Sequence, residues 1–111
     1  MQGELFMSTK MLWEILVPTD WEGSWSYFDK DDHHKAWDNY VHSITGGLTV
    51  LRPTKKGYWT SDDGKTYEEA MIPVRIFCTA ANIKQIAEFT KTHYKQLSVM
   101  YYRLSDEVYF V

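Results

Sequence analysis

Tyr67 and Glu69 are the residues best suited to chemistry, because they open a strand-like segment directly after a turn. Strand side chains alternate between two faces, so both residues share the face that also carries Arg75. A carboxylate on a partly covered face can have a raised pKa, act as an acid or base, or bind a cation. The alternative is that Glu69 and Arg75 form an ion pair at an interface or meet solvent. Glu69 and Tyr67 are the candidate catalytic residues, and with Arg75 they are candidate ligand-binding residues.

Tryptophan rings supply the other candidate binding residues. Trp21 and Trp25 lie with Tyr27 and Phe28 in an irregular segment, Thr19–Asp31. Four rings in eight positions are too many for a solvated loop, because exposed apolar area costs about 25 cal/mol per Å². We expect an ordered loop in which Trp25 or Trp21 lines the principal pocket. The alternative is that the rings plug the open end of the core.

Trp59 lies two residues after Gly57, in a strand-like segment that leads into a hairpin turn. A large ring at such a position normally packs across the strand pair. We therefore expect Trp59 to be buried or interfacial, and we include it among the ligand-binding candidates.

The histidines offer a weaker case for chemistry. His34, Asp38 and His42 fall at i, i+4 and i+8 of a helical segment. Three ligands spread over two turns of a straight helix cannot all reach one ion, so the stripe is expected to be solvated. His33 and His93 are expected at the surface rather than as ligands. We predict no metal site and no cofactor.

Composition limits the partners. The chain has 111 residues, a net charge of -3 and a pI of about 5.7, without a stripe of lysine and arginine. Nucleic acid is therefore a disfavoured partner, since a phosphate backbone needs clustered cations. The sequence contains no long apolar stretch that would predict a membrane span or a signal peptide, so a cytoplasmic location is expected. The single cysteine, Cys78, alternates with apolar residues and is predicted to pack in the core.

The segments that position these residues follow one another as strand, helix, strand, strand, helix and strand. The predicted ranges are Leu12–Thr19, Asp32–Ile44, Leu48–Thr60, Lys65–Cys78, Asn82–Tyr94 and Leu97–Tyr102, with a strand that could resume at Val108–Val111. This β-α-β-β-α-β order is typical of the ferredoxin-like α+β sandwich, with two helices on one face of a four-stranded antiparallel sheet. We predict one domain over residues 1–111, with a flexible leader at 1–10.

Two helices cover only one face of such a sheet. The opposite face would present Met71, Phe77, Met100 and Tyr102, an apolar surface that favours self-association. We therefore expect a homodimer of the dimeric α/β-barrel type, or a closed trimer.

An ordered series of short motifs resembles a bacterial and phage family of small ferredoxin-like domains. The motifs are Gly46-Gly47-Leu48-Thr49-Val50, Gly57-Tyr58-Trp59, Gly64, Glu68-Glu69, Val74 and Tyr94-Lys95-Gln96-Leu97-Ser98-Val99. The resemblance covers about residues 12 to 102. The function of that family is not assigned, so the resemblance implies a fold and no catalytic residues.

A second resemblance is to the phage S-adenosylmethionine lyases. The segment Thr66-Tyr67-Glu68-Glu69-Ala70 is similar to their Tyr-x-Glu-Ala motif, and Val74–Cys78 is similar to the strand that follows. The resemblance implies that Glu69 is the site carboxylate near the sulfonium and that Tyr67 is a binding residue. The connection between the two segments is shorter here than in that family.

Together these observations predict a small ligand-binding or protein-interaction domain that acts as a homo-oligomer. The ligand would be a small, partly apolar molecule, and we expect no enzymatic activity. The alternative is a small enzyme of the dimeric α/β-barrel type or of the S-adenosylmethionine lyase type, using Glu69.

Overall fold

The structure of the protein, a computed structural model, describes residues 9–21, 27–54 and 57–111. Its elements are β1 (Lys10–Pro18), α1 (Tyr27–Thr45), β2 (Thr49–Val50), β3 (Gly57–Thr60), β4 (Thr66–Glu69), β5 (Met71–Thr79), α2 (Ala80–His93) and β6 (Tyr101–Ser105). Strands β2, β5, β1 and β6 form, in that order, an antiparallel sheet, and β3 pairs with β4 in a separate hairpin. The predicted ferredoxin-like α+β sandwich is confirmed.

The core lies between the sheet and the two helices. Alternate residues of β5, Val74, Ile76 and Cys78, are buried, as are Ile15 and Val17 of β1. The helices contribute Trp37, Val41, Ile83 and Ile86 to the same cluster. Because alternate strand residues share a face, both helices must cover that one face. The predicted core position of Cys78 is confirmed, and burial raises the pKa of its thiol to about 11.

Helix α1 begins five residues earlier than the predicted start at Asp32, because it extends back to Tyr27. Asp31 and Asp32 therefore lie inside the helix rather than capping it. Asp31 forms an i,i+4 ion pair with Lys35 at 3.1 Å, and carboxylates near a helix N-terminus stabilise the positive end of its dipole. Acidic residues are thus compatible with the first turns of a longer helix as well as with a helix start at Asp32.

The predicted second strand, Leu48–Thr60, is wrong as a single element. It divides into β2 and the hairpin strand β3, and the third predicted strand divides into β4 and β5. Pro53 lies in the break after β2, where a residue without an N–H cannot donate to a ladder. The hairpin turn predicted between Trp59 and Tyr67 is confirmed, with Gly64 at φ +84° and the Asp63 carboxylate accepting from Lys65 N at 3.1 Å.

The last strand begins at Tyr101 instead of Leu97, and Val108–Val111 forms no strand. Helix α2 ends in a turn in which Gln96 N donates to Lys91 O at 2.9 Å and Lys95 has φ +52°. The chain therefore needs several further residues to return to the sheet. It reaches β1 at Met100, whose carbonyl accepts from Leu16 N at 3.1 Å.

Neither helix in the described part of the chain is long and apolar enough to cross a membrane.

Candidate functional site

Two histidines that were expected at the surface form a half-buried stacked pair. The rings of His33 on α1 and His93 at the end of α2 have centroids 3.7 Å apart and planes inclined by 14°. Nε2 of His33 donates to the His93 carbonyl at 2.5 Å, and Nε2 of His93 donates to the His33 carbonyl at 2.8 Å. The reciprocal bonds fix the rings and join the two helices. Both side chains are partly exposed, as expected, but they also form specific contacts that the sequence did not indicate.

The ring of Trp21 continues this stack. Its centroid lies 4.9 Å from His33 in a stacked arrangement, and it meets Tyr94 edge-on at 5.0 Å and His34 at 5.1 Å. The Tyr94 hydroxyl is 2.7 Å from Nδ1 of His34, and burial, with the charge of Asp38, raises the pKa of that phenol. Trp21 is therefore held in one orientation by aromatic contacts with both helices.

The segment before Trp21 is tied to the end of the hairpin. Thr19 N and Thr19 Oγ1 both donate to the Ala70 carbonyl, at 3.2 and 3.1 Å. These bonds bring Trp21 and Glu69 to a shared cavity of about 300 Å³. We call it the Trp21–Glu69 cavity, and its walls are Thr19, Asp20, Trp21, Glu69 and Ala70.

The two carboxylates of the Trp21–Glu69 cavity differ in their partners. Asp20 forms an ion pair with Lys30 of α1. Glu69 has no hydrogen-bond or ion-pair partner for its side chain among residues 9–21, 27–54 and 57–111. Since a carboxylate without a countercharge attracts cations, the cavity combines a fixed aromatic ring with an uncompensated negative group.

A larger cavity of about 600 Å³ lies near the opposite end of the sheet, on the face away from the helices. We call it the Phe77 groove. It is lined by Lys10, Leu12, Thr45, Gly46, Gly47, Leu48, Thr49, Arg75, Phe77, Val108 and Phe110. Trp21 does not line this larger cavity, and instead lines the smaller one and packs against the helices.

The structure brings some of the predicted site residues together and separates others. Trp21 and Glu69 share one cavity, whereas Arg75 lines the Phe77 groove. Nε of Arg75 donates to Glu14 at 3.2 Å, so within the chain its partner is Glu14 rather than Glu69. The reason is that Glu69 belongs to the separate β3–β4 hairpin, while Glu14 lies directly opposite Arg75 in the β1–β5 register.

The remaining predicted site residues are Trp25, Trp59 and Tyr67. Trp25 and the side chains of Trp59 and Tyr67 lie outside the described residues. The backbones of Trp59 and Tyr67 are paired across the hairpin. Their roles stay predictions. No group of three metal-ligating side chains occurs within the described ranges.

The lowered pKa values of His34 and His93 lead us to expect that the protein becomes less stable on mild acidification. Burial lowers the pKa of His93 and of His34 below the ordinary 6.5, with the charge of His33 adding to it. The unfolded chain therefore binds more protons than the folded one below about pH 6.5, and the free energy of unfolding decreases there. We expect the melting temperature to hold above pH 6.5 and to fall as the pH drops toward about 5.

A His93→Phe variant keeps a ring in the stack but cannot titrate, so its melting temperature should depend less steeply on pH in the same window. If the melting temperature of this variant depended on pH as steeply as that of the wild type, His93 would not be the source of the acid sensitivity. Burial raises the pKa of Asp38 above 3.8. The folded chain therefore binds a proton at this carboxyl more readily than the unfolded chain, so protonation of Asp38 adds stability at lower pH and opposes the effect of the histidines.

Comparison with known proteins shows likeness of fold without likeness of sequence. No protein-family model matches the chain, and no curated protein matches it. CutA1 from Oryza sativa matches with a TM-score of 0.62 and 10% identity over 94% of this chain and 86% of that one. The periplasmic divalent cation tolerance protein CutA from Archaeoglobus fulgidus matches with a TM-score of 0.58 and 10% identity, over 91% of this chain and 87% of that one.

A phage SAM lyase in complex with S-methyl-5'-thioadenosine is also similar in structure. The TM-score is 0.58 and the identity 12%, over 91% of this chain and 84% of that one. At these identities the likenesses show the fold alone. The resemblance to S-adenosylmethionine lyases that the sequence indicated is confirmed at that level.

Proposed function

We propose that this protein binds a small, partly apolar organic cation in the Trp21–Glu69 cavity and acts as a homo-oligomer. The observation that carries the proposal is the juxtaposition of a fixed indole ring with a carboxylate that has no countercharge among the described residues. An indole face is the strongest aromatic partner for a cation, and an adjacent carboxylate adds charge attraction.

The stacking contacts support ligand binding rather than simple core filling. The ring of Trp21 is held by His33, His34 and Tyr94, yet it stays partly exposed and lines the cavity. A ring that is positioned before the ligand arrives loses little conformational entropy on binding, which raises affinity. The cavity volume of about 300 Å³ lies at the lower end of the range for small-molecule sites.

A second candidate function is a lyase that acts on S-adenosylmethionine. Glu69, which the sequence resemblance marks as the carboxylate near the sulfonium, lies in the Trp21–Glu69 cavity, and the fold matches that of a phage SAM lyase. A carboxylate beside the sulfonium would orient the substrate by charge. Tyr67, which precedes Glu69 by two residues on β4, is the other candidate residue in this function.

Calorimetric titration with two closely matched compounds tests the binding proposal. S-adenosylmethionine carries a sulfonium cation, whereas S-adenosylhomocysteine has the same adenosine and amino-acid groups with a neutral thioether. The proposal expects tighter binding of the sulfonium compound. Equal affinities would show that the cavity does not recognise the positive charge. Release of S-methyl-5'-thioadenosine during incubation, measured by chromatography, would favour the lyase over simple binding.

The apolar edge of the sheet supports self-association. Met100 and Tyr102 alternate along β6 and its approach, so they share the face away from the helices, and Leu104 lies at the irregularity in the β1–β6 register; the three side chains are 64%, 37% and 40% exposed. Strand β6 is also an edge of the sheet. Edge strands with exposed apolar side chains readily pair with another chain. A second copy that covers this edge would remove both the unpaired backbone groups and the apolar area from water.

We expect sedimentation of the wild type at micromolar concentration to give a species at least twice the 13.1 kDa of one chain. Leu104→Arg should shift the population toward the single chain, because a charge would be buried in the contact. Val50→Arg, at the opposite edge strand and also at an exposed apolar position, is the matched control and should leave assembly unchanged. A wild type that sediments only as a 13 kDa species would rule the assembly out.

A further inference from the structure

We propose that the Phe77 groove is a second binding site, which takes a small molecule that joins an anionic group to an aromatic or apolar body. This site is separate from the Trp21–Glu69 cavity. Lys10 and Leu12 stand at the first end of β1, whereas Thr19 follows its last residue. At about 3.3 Å per residue, Leu12 and Thr19 lie roughly 20–25 Å apart along β1, and Arg75 and Ala70 roughly 15 Å apart along β5, so the two sites have separate linings.

The apolar part of the groove is formed by two phenylalanine rings. Phe77 of β5 and Phe110 of the C-terminal segment have centroids 5.5 Å apart and planes inclined by 72°. Phe110 is 79% exposed, and Leu12, Leu48 and Val108 extend the apolar wall. A flat apolar body inserted beside these rings would remove exposed aromatic area from water, which supplies a driving force for binding.

The charged part of the groove is entirely positive. Lys10 and Arg75 are the charged side chains among its lining residues, which include no carboxylate. That balance is opposite to the chain as a whole, which has a net charge of -3. It is also opposite to the Trp21–Glu69 cavity, whose charged lining residues are two carboxylates. Charge complementarity therefore selects an anion at one site and a cation at the other.

The guanidinium of Arg75 is held in place by a hydrogen-bonded network. Its Nε donates to Oε1 of Glu14, and the Tyr102 hydroxyl donates to Oε2 of the same carboxylate. Glu14 is 8% exposed, so this network holds one edge of the guanidinium against the sheet. The terminal nitrogens of Arg75 have no partner among residues 9–21, 27–54 and 57–111, and they can donate to a carboxylate, sulfonate or phosphate.

Lys10 supplies the second positive group. Its ammonium nitrogen lies 6.0 Å from the centroid of the Phe77 ring, so the cation and the aromatic surface are adjacent. It forms no ion pair with any carboxylate in the part of the chain that the structure describes. An anionic ligand can thus contact Lys10 while its apolar body rests on Phe77.

The test uses two fluorescent probes that differ in one charge. The first is 8-anilinonaphthalene-1-sulfonate, and the second is N-phenyl-1-naphthylamine, which has the same ring system without the sulfonate. The sulfonate probe should bind more tightly, and its affinity should weaken as salt is added. Lys10→Gln and Arg75→Gln should each raise its Kd about two- to fivefold, as expected for partly exposed charge pairs, and leave the neutral probe unaffected.

Lys84→Gln makes the same change at an exposed position on α2 and is the matched control. Equal effects of Lys84→Gln and Lys10→Gln on the sulfonate probe would overturn the proposal, because they would report net charge alone. No effect of Lys10→Gln, or no saturable binding of the sulfonate probe, would also overturn it. Lys10→Gln breaks no ion pair among the described residues, so it gives a result even if Arg75→Gln fails to fold.

Probe binding in the Phe77 groove is expected to be independent of ligand binding in the Trp21–Glu69 cavity. Glu69→Gln should leave the affinity for the sulfonate probe unchanged, and excess S-adenosylmethionine should not displace the probe. Displacement, or loss of probe binding in Glu69→Gln, would show that there is one site and not two.

Discussion

Replacing Trp37 with alanine is expected to lower the free energy of unfolding by about 3–5 kcal/mol. The side chain lies at the centre of the core with 1% of its surface exposed. Its Nε1 donates to Thr90 Oγ1 at 2.8 Å, which joins α1 to α2, and the Thr90 hydroxyl donates in turn to the Ile86 carbonyl at 2.6 Å. Truncation would leave a large cavity and remove the donor of a buried hydrogen bond.

Trp37→Phe separates these two effects. It retains a ring and loses the indole N–H, so we expect a smaller loss of about 1–3 kcal/mol from the hydrogen bond and the reduced volume. Urea denaturation measures both variants, and an unchanged slope of unfolding free energy against denaturant would show that the change lies in the folded state. A loss below about 1 kcal/mol in Trp37→Ala would contradict the packing described.

Replacing Glu69 with glutamine is expected to weaken binding of S-adenosylmethionine about tenfold. The change keeps the shape of the side chain and removes the negative charge that faces the cavity. A charge-assisted contact is worth about 1.5–3 kcal/mol when it is desolvated, and partial exposure of Glu69 brings the expected loss toward the lower end.

Glu88→Gln is the control for this variant. It makes the same substitution at an exposed position on α2, away from the Trp21–Glu69 cavity. Its affinity for S-adenosylmethionine should equal that of the wild type, and neither variant should change the affinity for neutral S-adenosylhomocysteine by more than about twofold. Equal weakening of S-adenosylmethionine binding in both variants would remove Glu69 from the site.

Most of the fold could be predicted because its elements have strong local patterns. Alternation in β5 places Val74, Ile76 and Cys78 on one face, and helical spacing places Ile83 and Ile86 on one side of α2. The predictions that were wrong concern chain breaks. Whether the chain continues past Pro53 as one strand or leaves the sheet as a hairpin depends on pairing with distant strands, which local composition does not specify.

The sequence marked both main residues of the Trp21–Glu69 cavity but not that they line one cavity. Their juxtaposition depends on bonds from Thr19 to the Ala70 carbonyl, across 51 residues of chain. The stacked histidines were missed for a similar reason, since His33 and His93 are separated by 60 residues. The available signal was that both lie at the ends of the predicted helices Asp32–Ile44 and Asn82–Tyr94, next to a segment rich in rings. The Phe77 groove likewise depends on how the C-terminal segment returns to β5.

A crystal structure of the protein grown with S-adenosylmethionine would show whether the Trp21–Glu69 cavity binds the sulfonium compound. We expect density for the compound, or for S-methyl-5'-thioadenosine derived from it, with its sulfur in contact with the Trp21 ring or near the Glu69 carboxylate. An empty Trp21–Glu69 cavity at saturating ligand, or density found only in the Phe77 groove, would contradict this expectation.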